Sequence, residues 1–352
     1  MSIFSTWLTV NRACNLGCKW CYAQETNSAN NMDVFVAKRL TDISVEIGVK
    51  NIKLIGGEPT IYPHFFEILE YLMSKDVSIV IVTNGIKLAN RDFCLALKGY
   101  NYPKLHLGIS IKGASDEDYL ADCGTTGFTS LISGINNCNE LGLSYSLSYV
   151  LTQENITSLD LFAQTLIDNS ISKTIFMAYC NYIISEGNEG QNVDLQLKMD
   201  YAFAEKYSTV THILSDRLRI HETFPLCMCE PNTFEAMMKK GQVVTTCHVH
   251  KRNGLIFDTD GSILLCNHLA GYGIGKYGVD FNDAVSFTDF WNSDYVINLY
   301  KKFTMLPSQD CQNCKLLSKC GGGCFVQWFT QFFRSVYKEL HADHETGAAD
   351  NK

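Results

Sequence analysis

From Thr6 to Ala178, short runs of β-branched and aliphatic residues alternate with segments whose apolar positions recur every three or four residues. The short runs predict strands at 6–11, 51–55, 78–83, 105–111, 144–151 and 173–178. The longer period predicts helices at 34–47, 64–74, 91–97, 129–141 and 159–167. Strands separated by helices pair in parallel through right-handed crossovers. The expected fold class is therefore α/β. Six such units make a partial (β/α)6 barrel of the TIM type, open rather than closed at eight. Chemistry in parallel sheets of this kind gathers beyond the carboxyl ends of the strands.

A helical stretch follows at about 195–214, and beyond it the alternation is expected to stop as cysteines crowd in. This divides the chain into a barrel at 1–215, a small cysteine-rich domain at 216–345 and a tail at 346–352. Asp258-Thr-Asp-Gly-Ser262 reads as a hairpin turn between strands at 255–257 and 263–265. The run 325–333 has apolar residues at helical spacing on most sides, as a helix packed in a core does.

Composition narrows the function. With 46% hydrophobic and 19% charged residues the chain is an ordinary soluble globular protein with a sizeable core. Net charge is −8 and the basic pairs (Lys38-Arg39, Lys239-Lys240, Lys251-Arg252, Lys301-Lys302) are scattered, which argues against a nucleic-acid partner. The longest apolar run, at 79–82, is far short of a membrane span. Met1 leads into the first strand without a charged and apolar leader, so no secretion signal is expected. Fifteen cysteines in such a chain point to metal thiolates in a reducing cytoplasm rather than to a disulfide scaffold. Cys94, Cys138 and Cys180 fall in helical or strand-end patterns and read as core.

The chemistry starts at Cys14, Cys18 and Cys21, directly after the first strand and separated by three and then two residues. Zinc usually closes a shell of four ligands built from two Cys-x-x-Cys pairs, and no fourth ligand is near in sequence. An iron–sulfur cube on three thiolates instead keeps one iron free. After the second strand comes Gly56-Gly57-Glu58-Pro59-Thr60, where glycines allow a ligand close to the backbone and a carboxylate can accept from an ammonium group. Thr83-Asn84-Gly85 follows the third strand, and Ser110 lies at the end of the fourth, in Ile109-Ser-Ile-Lys-Gly113. All four sites fall at strand carboxyl ends. Cys123, in the Gly-rich stretch 122–127, reads as a loop residue overlooking the cavity. It is either a small packing residue or a thiol able to return a hydrogen atom to a radical. Asp118, Asp122 and Glu186 are loop carboxylates, none singled out as a base.

With Trp20 just before the third cysteine, this set of motifs resembles the radical S-adenosylmethionine (radical SAM) superfamily. The resemblance implies a [4Fe–4S] cluster on Cys14, Cys18 and Cys21 whose open iron chelates the amino and carboxylate groups of SAM. One-electron cleavage of the sulfonium then gives a 5′-deoxyadenosyl radical that takes a hydrogen atom from substrate. It further implies Trp20 near the adenine, the Gly56–Gly57–Glu58 backbone and Glu58 at the SAM amino group, Asn84 in a cofactor-site turn, and Ser110 at the ribose or carboxylate. Relatives often carry an acidic residue where this chain has Lys112.

Cys247, thirteen residues, Gly261, four residues, Cys266, then Cys311-x2-Cys314-x5-Cys320-x3-Cys324, is similar to the SPASM-type domain, which holds two further [4Fe–4S] clusters. That likeness implies Cys247, Cys266 and Cys324 on the first auxiliary cluster, completed by Cys227 or Cys229, with Cys227 preferred. Cys311, Cys314 and Cys320 would hold the second. The pattern's seventh cysteine is absent past Cys324, where His341, Asp343 and His344 stand, so one or two auxiliary clusters are expected. The implied protein is an enzyme with a peptide or protein substrate, crosslinking a ribosomal precursor peptide oxidatively, with electrons from a flavodoxin or ferredoxin. The alternatives are radical oxidation or epimerisation of a small molecule or amino-acid residue, with Cys123 as hydrogen donor, and sulfatase-type residue oxidation. The start at strand one, without a leader-recognition domain, counts against crosslinking.

Overall fold

The computed structural model describes residues 3–23, 26, 29–180, 191–221, 225–244, 247–303, 306 and 308–324, with 191–197 as backbone. Among these residues the strands are β1 (Ser5–Thr9), β2 (Asn51–Ile55), β3 (Ser78–Thr83), β4 (Leu105–Ile111), β5 (Tyr145–Leu151), β6 (Ile175–Tyr179), β7 (Leu218–His221), β8 (Val243–Val244), β9 (Gly254–Phe257), β10 (Ser262–Leu264) and β11 (Gly273–Lys276). The helices of the first part are α1 (Val34–Glu46), α2 (Phe65–Ser74), α3 (Arg91–Gly99), α4 (Asp116–Cys123), α5 (Phe128–Leu141), α6 (Leu159–Asp168) and α7 (Gln191–Leu214). Those of the second are α8 (Pro231–Lys239), α9 (His248–Lys251), α10 (Ala284–Trp291), α11 (Asp294–Phe303) and α12 (Leu317–Cys320).

One sheet holds all the strands, in the order β11-β10-β9-β1-β2-β3-β4-β5-β6-β7-β8. The six expected strands pair in parallel and in sequence order, as a partial barrel requires. Side-chain chemistry sets the helix ends between them. Asp33 caps α1 by accepting from Phe35 N and Val36 N, and Asn90 caps α3 through Phe93 N. α4 and α5 end on Gly124 and Gly142 in the left-handed region, where glycine carries no steric cost.

Two expectations are corrected. The alternation does not stop near residue 214, because β7 and β8 add two parallel strands beside β6, with α8 between them. Four residues and two are too short to show a period. Nor does the cysteine-rich segment stand apart from the barrel sheet. Its hairpin β9–β10 forms as expected, closed by Asp258 N to Ser262 O (2.8 Å), yet β9 also pairs in parallel with β1. Helix α4 was not expected, since only Tyr119 and Cys123 on it are buried, one turn apart. The run 325–333, His341, Asp343, His344 and Glu186 lie outside the described residues.

The two faces of the sheet differ. Leu8, Ile52, Leu54, Ile79, Ile81, Leu107 and Ile109 face the helices and are buried. On this side Tyr149 stacks on Phe162 of α6, ring centroids 3.9 Å apart. The alternate row, which includes Trp7, Lys53, Val80, Val82, Ser110, Ser146, Phe176 and His221, stays only partly covered. Lys53 Nζ lies 4.4 Å from the Trp7 ring centre. Its charge also acts on His221, which burial and Lys53 together hold below the usual imidazole range. In a flat sheet β2 and β7, five strand spacings apart, would be about 24 Å from each other. The sheet is therefore curled, and this row lines its concave side.

A buried ion pair ties the first cysteine loop to the hairpin. Arg12 donates to Asp258 Oδ1 through Nη2 (2.6 Å) and Nε (3.1 Å), while its Nη1 has no hydrogen-bond partner. Both residues are nearly inaccessible. Asp258→Ala would strand a guanidinium away from water, and removal of one partner of a buried pair costs roughly 3–5 kcal/mol. The expected result is a clearly lowered thermal midpoint for Asp258→Ala, against little change for the exposed helical control Asp289→Ala, in the same anaerobic preparation.

Candidate functional site

The loops after β1, β2 and β3 are built against one another. Gly57 N donates to Asn11 O (2.8 Å), Glu58 N to Ala13 O (2.8 Å), and Asn11 Nδ2 to Glu58 O (3.0 Å). A Cβ on Gly57 would stand 2.3 Å from Ala13 O, and one on Gly56 2.2 Å from Asn11 Oδ1. The close approach that the glycines permit is thus made by the cysteine loop itself. Glu58 is buried, and its carboxylate accepts from Thr60 N (3.1 Å), Thr60 Oγ1 (2.7 Å), Thr83 Oγ1 (2.7 Å) and Asn84 N (2.7 Å). Burial pushes this carboxyl up, and the Asn84, Thr60 and Thr83 donors pull it back. The Glu58 side chain braces the β2 loop to the β3 loop. Asn84, also buried, accepts from Ile86 N (3.0 Å) and donates to Asn15 Oδ1 (2.7 Å), with Cys14 Sγ 3.9 Å away.

The three signature thiols sit in a setting suited to metal thiolates. Leu16 N points at Cys14 Sγ and Ala23 N at Cys21 Sγ, each at 3.4 Å. Hydrogen bonds to cluster sulfurs are a means by which proteins orient and tune such centres. Cys18 Sγ lies 3.4 Å from Cys123 Sγ. The Cys18 thiol is pushed down to about 6, chiefly by the Cys123 S–H, against burial and with help from Lys112. Cys123 itself is held as the protonated partner. Its position corrects the expected loop: Cys123 ends α4, buried, with its sulfur on Cys18 and its carbonyl accepting from Gly17 N (2.8 Å). Lys112 Nζ donates to Ser110 Oγ (2.7 Å), and its charge also acts on Cys18. Trp20 is half-buried.

The remaining cysteines form two further groups. Cys266 lies within electrostatic reach of Cys247, and burial pushes its thiol up to about 12. His250 Nε2 donates to Gly323 O (2.8 Å), which brings Cys324 toward the helix that Cys247 begins. Leu226 N donates to Cys320 Sγ (3.3 Å) and Leu316 N to Cys314 Sγ (3.4 Å). Cys227 is exposed and Cys229 buried in the apolar core. Cys94, Cys138 and Cys180 are buried, as expected, and no cysteine is in a disulfide. Among the described residues no three His, Cys, Asp or Glu side chains close around a single ion. A cube spreads its ligands over separate irons, so its thiolates stand wider than those of one ion.

Sequence reasoning missed Arg12, Asn15, Tyr22, His250 and His268. Tyr22, next to Cys21, pairs its ring with His268 at 5.7 Å, and His268 Nδ1 lies 3.5 Å from Cys266 Sγ. Nothing in the local pattern marks these residues, because each acts through a partner far along the chain.

In reduced, metal-free protein, alkylation of Cys18 by iodoacetamide should rise with pH through a midpoint of about 6, as the thiolate forms. Cys123→Ala should move that midpoint up toward the ordinary thiol value, read by peptide mass spectrometry.

Residues 8–166 match the family model described as the radical SAM superfamily. A Fe-coproporphyrin III synthase of Methanosarcina barkeri is 26% identical over 368 residues, 95% of this chain and 85% of that protein. The mycofactocin maturase MftC of Mycobacterium tuberculosis is 28% identical over 160 residues, 45% of this chain and 40% of that one. Among solved structures, Streptococcus suis SuiB bound to its precursor peptide SuiA superposes with a TM-score of 0.69 at 19% identity, covering 94% of this chain and 73% of SuiB. Fold, cysteine loop and family match agree: residues 8–166 of this chain form a radical SAM domain.

Proposed function

We propose that this enzyme is a peptide-modifying radical SAM oxidoreductase of the SPASM type, which crosslinks a precursor peptide oxidatively. The observation that carries the reading is one sheet with two sets of thiols: Cys14, Cys18 and Cys21 beyond β1, and the later cysteines beside the hairpin that extends the sheet from β1. The donor set fits the group, since none of these thiols is in a disulfide and two of the first three already receive backbone N–H donors. When bound, the cluster and SAM supply the one-electron cleavage and the hydrogen-abstracting radical.

The chain's own residues do the rest. Cys14, Cys18 and Cys21 hold the cluster, and Asn84 and Asn15 fix the Cys14 end of the loop. Glu58 locks the β2 and β3 loops so that the backbone at Gly56 and Gly57 meets SAM in a set position, which keeps reorganisation low. Ser110 and Lys112 form the rim near Cys18. Substrate enters the concave row lined by Val82, Ser146 and Phe176. Cys247, Cys266 and Cys324 would hold an auxiliary cluster, which would supply an acceptor for the electron released in a net two-electron oxidation.

The test is anaerobic reconstitution with dithionite and SAM. Wild type should release 5′-deoxyadenosine, and Cys14→Ala should not. With a candidate precursor peptide in D2O, loss of two hydrogens supports crosslinking, whereas gain of solvent deuterium would replace it by epimerisation.

A second reading, action on a small molecule, draws on the relative that aligns along 95% of the chain and on Lys53. That lysine has no ion-pair partner among the described residues, and burial holds it below the usual range. A substrate carboxylate would pair with it. On this reading Lys53→Met raises KM for a carboxylate substrate about tenfold, the equivalent of about 1.4 kcal/mol, and leaves SAM cleavage intact. An unchanged KM would remove the carboxylate anchor.

A further inference from the structure

We propose that Cys227 is the fourth thiolate of the second auxiliary cluster, with Cys311, Cys314 and Cys320, in place of the cysteine that residues 325–352 lack. This rests on the SPASM-type reading and alters it, because the sequence pattern assigns Cys227 to the first auxiliary cluster.

Local backbone geometry selects Cys227 over Cys229. Pro225 opens a 3₁₀ turn at Leu226–Met228, closed by Met228 N to Pro225 O (2.8 Å). With three residues per turn, positions three apart share a face. Leu226 and Cys229 accordingly point inward, 3% and 5% exposed, and Cys227 points out. The Cys311–Cys320 run lies beside this turn. Leu226 N, one residue before Cys227, donates to Cys320 Sγ at 3.3 Å. The thiols whose charge bears most on Cys227 are those of Cys320, Cys311 and Cys314.

The turn is also anchored. Glu230 N donates to Asp200 Oδ2 (2.6 Å), and Tyr179 at the end of β6 donates to Asp200 Oδ1 (3.0 Å). The barrel therefore holds Cys227 in place for the run to meet. Four thiolates, two of the run's sulfurs already receiving backbone N–H groups, are the ligand set of a closed [4Fe–4S] cube. The assignment leaves Cys247, Cys266 and Cys324 as the thiolates of the first auxiliary site, three rather than four.

Iron and sulfide content and EPR of the full-length reconstituted enzyme test this. Wild type should hold about twelve irons, three cubes at four irons each. Cys227→Ala should lose between one and four of them and show a [3Fe–4S] signal in the oxidised state, while Cys229→Ala keeps the wild-type count and spectrum. Cys227→Ser, which retains a weaker oxygen ligand, should keep the irons with a shifted midpoint potential. It also decides the matter if the alanine variant does not accumulate. A wild-type count and spectrum in both Cys227 variants overturns the proposal, as does the same loss from Cys229→Ala alone or from His341→Ala, Asp343→Ala or His344→Ala. A wild type with only four irons would overturn the auxiliary-cluster reading itself, which separates the two failures.

Discussion

The pairing of Arg12 with Asp258 constrains most of what surrounds it. A guanidinium that is 5% exposed cannot remain without an anion, because the desolvation cost of a lone buried charge exceeds what packing returns. The residue two positions before Cys14 therefore cannot settle until the turn of the β9–β10 hairpin arrives, 246 residues further along. Pairing of β9 with β1 brings that turn to the right level of the sheet. Such a pair adds little net stability against an apolar replacement, but loss of either partner leaves a buried charge uncompensated. The first cysteine loop and the later cysteines are thus parts of one construction.

A second layer of the same logic sits under the cofactor loops. Glu58 holds four donors from two loops, and the glycines before it lie against the backbone of a third. These contacts fix the positions of backbone groups before any ligand arrives, which is where preorganisation lowers the cost of binding. A side chain on Gly57 would push the cysteine loop away by more than an ångström, since ordinary contact begins near 3.4 Å and its Cβ would meet Ala13 O at 2.3 Å.

The sequence was legible where physics is local. Strands β2, β3 and β4 begin and end where their β-branched runs do, and the Asp258–Ser262 turn closes as its residue types require. The motifs were legible as positions at strand ends. Their internal work was not. That the Cβ side of Gly56 and Gly57 is filled by the cysteine loop depends on Asn11 and Ala13, more than forty residues away. That Glu58 turns inward depends on Thr83, and that Cys123 ends a helix against Cys18 depends on packing across 105 residues. Strands β7 and β8 exist because β6 offers an edge, a tertiary cause with no periodic trace.

The same non-local wiring joins the two thiol regions. Cys21 and Cys266 come from opposite ends of the chain, yet the ring of Tyr22 rests on His268, whose Nδ1 meets Cys266 Sγ. Burial raises the Tyr22 hydroxyl to about 12, so it stays a neutral phenol beside both thiols and adds no charge to either. His268 is likewise pushed down by burial, to about 4, and faces Cys266 as a neutral imidazole. Ring contact between Tyr22 and His268 thus links the two groups of thiols without placing a further charge beside either.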